Sequence, residues 1–146
     1  MAARIRLMPV SVDISRRALG PYAPVELDLA RALDALVRTT SQETVPHLVS
    51  DGTVDGTDLE LRTIFSRLEP DTQDHPFASV LVVIEVLRVA TGQPVYTRQV
   101  ESEVRRLIQL PAPLDDARFA RTALGRATVS CLRSLFTALG NTFATP

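Results

Sequence analysis

Hydrophobic and polar positions along this chain sort into segments of differing period, and the clearest lies between residues 78 and 106, ASVLVVIEVLRVATGQPVYTRQVESEVRR. From residue 80 to 89 both parities are apolar: Val80, Val82, Ile84 and Val86 on one, Leu81, Val83, Leu87 and Val89 on the other. The β-branched run, broken at Ala90-Thr91-Gly92-Gln93, predicts two long strands joined by a tight hairpin turn. A symmetric turn sets Val89 opposite Pro94, Leu87 opposite Tyr96, Glu85 opposite Arg98 and Val83 opposite Val100. A carboxylate facing a guanidinium is a pairing that fixes register.

Residues 3–14 (ARIRLMPVSVDI) alternate loosely and predict a first strand bent at Pro9, because proline cannot donate to a ladder. Residues 24–38 (PVELDLARALDALVR) carry Leu29, Leu33, Leu36 and Val37 at helical spacing, with Pro24 in the first turn and Glu26 and Asp28 at the positive end. Residues 39–58 are polar, and DGTVDGTD reads as two successive Asp-Gly turns. Asp51, Asp55 and Asp58 lack the order of oxygen ligands and closing Glu that a calcium loop needs. Residues 58–68 (DLELRTIFSRL) fit two patterns. As a helix they carry a capping box from Thr57 to Glu60 and a stripe of Leu61, Ile64, Phe65 and Leu68; as a strand they alternate Leu59, Leu61, Thr63 and Phe65. Residues 115–143 predict one long second helix, with a small-residue stripe of Ala120, Ala123, Ala127 and Cys131 suited to lying close on a sheet.

Local signals lean towards a helix at 58–68; with that segment taken as a strand, as the resemblance given below implies, the order is strand, helix, three strands in a meander, helix. That is an α+β, two-layer architecture: a four-stranded, mainly antiparallel sheet with two helices on one face, as a single domain over 1–146. Helices on one face leave the other to be covered by something else, yet the strand 80–89 is apolar on both. The candidate binding residues are therefore Leu81, Val83, Leu87, Val89 and Tyr96 as apolar anchors, with Arg98 at the rim. The candidate occupants are a partner chain, a second copy, a lipid-like ligand, or the chain's own loops.

Chemistry adds little to this picture. Apolar residues are 45% and charged residues 23%, ordinary for a globular chain, and a net charge of -1 with scattered arginines gives no footprint for nucleic acid. All 16 basic residues are arginine, which excludes Schiff-base lysines and P-loop phosphate binding. His47 and His75 sit beside prolines without the further imidazole or thiolate a metal would need, so no metal and no cofactor is expected. The lone Cys131 reads as core. No catalytic constellation is present; an enzyme would need Asp71, Asp74 and His75 to converge with an arginine.

Residues 57–139 resemble the auxiliary lipoproteins of ABC-type lipid-transport systems, similar to those of the paraquat-inducible operons. The resemblance is carried by TDLELRTIFSRLEPD, then ASVLVVIEVLRVATGQPVYTRQVESEV, then ARFARTALGRATVSCLRSLFTAL. It implies a strand for the first piece, a hairpin for the second and a sheet-packed helix for the third. It further implies a non-enzymatic periplasmic module that binds an envelope transport protein or lipid, anchored at the outer membrane through a lipidated cysteine not present in this chain. The alternative is a cytosolic homo-oligomeric assembly protein of the same fold, with Met1 as the true start.

Overall fold

The computed structural model describes residues 5–12, 26–50, 59–69, 74–105 and 116–143. In chain order the elements are β1 (Ile5–Leu7), β2 (Ser11–Val12), α1 (Glu26–Thr44), β3 (Val49–Ser50), β4 (Leu59–Glu69), β5 (Phe77–Arg88), β6 (Pro94–Arg105), α2 (Asp116–Arg121) and α3 (Ala123–Phe143). The strands form one sheet in the order β3-β1-β4-β5-β6, with β2 also on β4. β4, β5 and β6 are an antiparallel meander, while β1, β2 and β3 pair in parallel. The α+β architecture expected from the pattern is present; the expected first strand is divided into β1 and β2, and β3 adds one short strand to the expected four.

The first strand breaks where Pro9 demanded it. Ile5 pairs with Leu59 and Leu7 with Leu61, then Ser11 pairs with Ile64 and Val12 with Phe65, so one residue of register is absorbed between the two pieces. Across the break the Met8 amide donates to the Leu61 carbonyl (3.0 Å) and the Val10 amide to the Asp34 carboxylate of α1 (3.3 Å). Parallel pairing of β1 with β4 requires a long crossover, and α1 supplies it.

Two helix boundaries differ from the sequence expectation. α1 runs on past residue 38 to Thr44 through polar residues. Their hydroxyls are satisfied inside the helix: Ser41 donates to the Arg38 carbonyl (2.9 Å) and Thr44 to that of Thr40 (2.6 Å). The expected single helix over 115–143 is instead two, divided at Thr122. The Thr122 hydroxyl donates to the Phe119 carbonyl ending α2 (2.6 Å) and accepts from the Gly125 amide starting α3 (3.0 Å). One threonine thus closes the first helix and caps the second.

Both helix layers lie on one side of the sheet and share one core. The alternate residues Ala78, Val80, Val82, Ile84 and Val86 of β5 are fully buried, as are Leu61 and Phe65 of β4, Leu33 and Val37 of α1, and Leu124, Leu132, Leu135, Phe136 and Leu139 of α3. Residues 59–68 lie in strand β4, as the resemblance required, and Asp58 lies outside the described residues. The bulge between Phe65 and Arg67, with Ser66 as the extra residue, returns Leu68 to the core side.

Candidate functional site

The face of the sheet left uncovered by the described helices is built from the other parity of β5: Phe77, Ser79, Leu81, Val83, Glu85 and Leu87. Register fixes what flanks this row. Leu81 lies between Arg67 of β4 and Glu101 of β6, Val83 between Ile64 and Gln99, and Glu85 between Arg62 and Thr97. An ion pair joins Arg67 to Glu101 (2.6 Å), straddling the strand over Leu81. At one end Arg6 pairs with Glu60, which sits opposite Leu87. The arginine stems shield apolar surface, each guanidinium reaching a carboxylate. This helps account for a central strand apolar on both parities: charged side chains from its neighbours flank Leu81 and Leu87 and screen them in part. What stays open is a half-buried apolar window of Leu81, Val83 and Ile64 between polar rims.

Four of the six sequence-selected residues belong to this side or to the hairpin tip. Leu81 and Val83 line the window, Leu87 is closed in at 6% exposure, and Val89 stands 49% exposed beside the turn. Tyr96 and Arg98 lie on the opposite, helix-bearing side: Val86 faces Tyr96 and Ile84 faces Arg98, and the carboxylate of Glu85 faces Thr97, not Arg98. The cause is Val95. The turn closes with the Arg88 amide on the Gln93 carbonyl (2.9 Å) and the Gly92 amide on the Arg88 carbonyl (2.7 Å), with Gly92 at φ 69°. Leu87 then pairs with Pro94 but Val86 with Tyr96, so Val95 is an extra residue and everything beyond it changes face. Tyr96 is consequently a strut, its ring edge-on to Phe143 of α3 at 5.8 Å. Ile64, Arg67 and Glu101 were missing from the sequence reading, and only the strand order brings them together.

β6 forms one edge of the sheet. It is long, and its outer backbone carries no strand partner among the described residues. Tyr96, Val100 and Val104 run along its helix-bearing side, each packed against the core yet incompletely buried. Val95, 41% exposed, and Val89 are the large apolar residues most open to solvent among those described.

Reactive groups sit elsewhere and apart. Asp74 and His75 are both exposed, with the His75 ring against Phe77 at 5.5 Å, and Asp71 lies outside the described residues. Among the described residues no group of acidic, histidine or cysteine side chains could hold a metal ion. Among them, too, no helix is long and apolar enough to cross a membrane. Cys131 is fully buried, its thiol directed at the Val80 and Val100 carbonyls (both 3.6 Å). Burial, with the negative Glu101 adding to it, pushes the thiol up to about 11 from 9.0. At pH 7 about one thiol in ten thousand is ionised, so native protein should resist alkylation. The sign of the linkage is also set. Below pH 9 the thiol is protonated folded or unfolded; above it only the unfolded thiol ionises. Urea midpoints should fall between pH 9 and about 11, by at most about 1.4 kcal/mol per pH unit from this group. Cys131→Ala should remove that component of the decline.

This arrangement, a sheet with the described helices packed on one side, defines an α+β domain. No family model and no curated protein sequence matches the chain. Solved structures do share its fold. The hypothetical protein CT253 from Chlamydia trachomatis superposes with a TM-score of 0.66 at 11% identity, over 99% of each chain. A subunit of the PelC dodecamer from Paraburkholderia phytofirmans gives 0.62 at 11% identity, over 94% of this chain and 87% of that one. Protein XCC0632 from Xanthomonas campestris, of the family DUF330, gives 0.54 at 14% identity, over 98% and 85%. At these identities the likeness is one of fold.

Proposed function

We propose that this protein is a non-enzymatic soluble domain of a periplasmic envelope lipoprotein that assists ABC-type lipid transport, acting by docking a protein partner or a lipid on its uncovered sheet face. The observation that carries the reading is the window of Leu81, Val83 and Ile64, half-buried at the centre of a face that no described helix covers and rimmed by Arg67 and Glu101. An apolar centre with a charged rim is the usual composition of a transient contact surface. The pattern of residues 57–139 supports the transport assignment, and its hairpin and strand reading agrees with the observed elements. Membrane attachment on this reading comes from a lipid anchor outside the present chain.

Val83→Glu tests it. The side chain is partly exposed, so the variant should fold with a near-native thermal midpoint. Capture of the envelope partner, or retention of co-purified lipid in native mass spectrometry, should fall about tenfold or more. Unchanged capture and unchanged lipid with a folded variant would move the docking site off this face. A second reading, self-association, is favoured by the free edge of β6 and by the fold shared with the PelC dodecamer subunit.

A further inference from the structure

We infer that β6 is a self-complementary edge, and that two copies of this chain join by antiparallel pairing of their β6 strands about a two-fold axis at Val100. This interface runs along the sheet edge; it borders the docking face at Gln99 and Glu101 but does not involve the Leu81, Val83 and Ile64 window. A twelve-residue edge strand whose outer side carries no strand partner among the described residues is a standing template for another strand. What selects a second copy is the order of side chains along it.

With Val100 opposite Val100, Tyr96 of each copy faces Val104 of the other, and all three belong to the incompletely buried row beside α3. The pairing therefore covers apolar groups that the monomer leaves half open. On the other face Gln99 meets Glu101 and Thr97 meets Glu103, each pair matching a donor with a carboxylate and setting no two like charges directly opposite. Slipping two residues one way puts Glu101 against Glu101. Slipping two the other way puts Arg98 against Val100 and Tyr96 against Ser102, losing the apolar pairs. A one-residue slip is excluded, because the two-fold must match the same face of both copies. One register thus satisfies both faces, and its centre falls within the middle of the strand. Glu101 and Glu103, which guard the edge against indiscriminate pairing, each meet a donor there while the apolar pairs are kept.

Cysteine cross-linking in a Cys131→Ala background tests both the pairing and its register. Val100→Cys should convert most of the protein to covalent dimer under mild oxidation. Gln99→Cys or Glu101→Cys alone should give little dimer, and the two mixed should give heterodimer. In the unmodified chain, light scattering across a dilution series should show dimer dissociating to monomer, and Val100→Lys should weaken the dimer about tenfold or more. Because Val100 also touches the core, circular dichroism of each variant verifies folding, and Glu103→Arg serves as a second, fully exposed change that should weaken the dimer without touching the core. Monomer at every concentration, or equal cross-linking of the single variants at 99, 100 and 101, would overturn the inference. Either result leaves the Val83→Glu outcome untouched, so the two readings fail separately.

Discussion

Gly125→Ala is expected to destabilise the protein by about 3 kcal/mol or more, a large fraction of the stability of an ordinary domain. A Cβ at this position would lie 2.0 Å from the Phe119 carbonyl oxygen and 2.9 Å from both the Phe119 carbonyl carbon and the Ala120 Cα. Those are backbone atoms of α2, so no rotamer change can relieve the clash. The two helices would have to separate, and separation breaks the hydroxyl of Thr122 from the Phe119 carbonyl and the Gly125 amide together. Gly140→Ala is the matched control. There the new methyl meets only the Cγ1 of Val45, at 3.0 Å, a side-chain atom able to shift, and the helix-propensity gain of up to about 1 kcal/mol offsets the crowding. Urea denaturation of the two variants should show a large fall in midpoint for the first and little change for the second. Equal effects would mean that α2 and α3 do not approach closely at Gly125.

The same junction marks a limit of what the sequence pattern conveys. Residues 115–143 read as one helix because Ala120, Ala123 and Ala127 keep helical spacing through the break. The division rests on a single hydroxyl serving two helix ends, and hydroxyl geometry has no periodic signature. α1 outran its expected end for a related reason, since Ser41 and Thr44 are polar in composition but bonded within the helix. The hairpin was legible down to its turn residues, because glycine at positive φ between two β-branched runs has few alternatives. Its register was not. One extra residue at Val95 exchanged the faces of Tyr96 and Arg98, and one at Ser66 broke the alternation in β4. Leu81 and Val83 were recognisable as candidates for the outer face because their strand is apolar on both sides. Arg67 and Glu101 were not, because their contact exists only once β4 and β6 flank β5. Strand order is a property of the whole sheet, and no window of sequence contains it.

Phe65→Ala should cost about 3–5 kcal/mol, while Ile64→Ala beside it should cost about 1 kcal/mol. The comparison tests the element whose pattern admitted both helix and strand. On a helix Ile64 and Phe65 lie on one stripe with Leu61 and Leu68, and both truncations would empty the core. On the bulged strand the core side takes Leu61, Thr63, Phe65 and Leu68. The spacing of Leu61, Phe65 and Leu68 imitates a helix only because Ser66 is inserted. Phe65 is fully buried opposite Val82 and beside Val12 of β2, so removing its ring opens a cavity that rigid β-branched neighbours cannot fill. Ile64 points to the opposite face, next to Val83, where it is only half-buried. Its loss should therefore register less in the urea midpoint than in binding at the docking window. Similar destabilisation by the two truncations would mean that Ile64 is buried, either within a helical stripe or beneath something that covers this face in solution. A large difference in stability, joined to weaker capture by Ile64→Ala, would place the two neighbours on opposite sides of the sheet, one holding the fold and the other its contact surface.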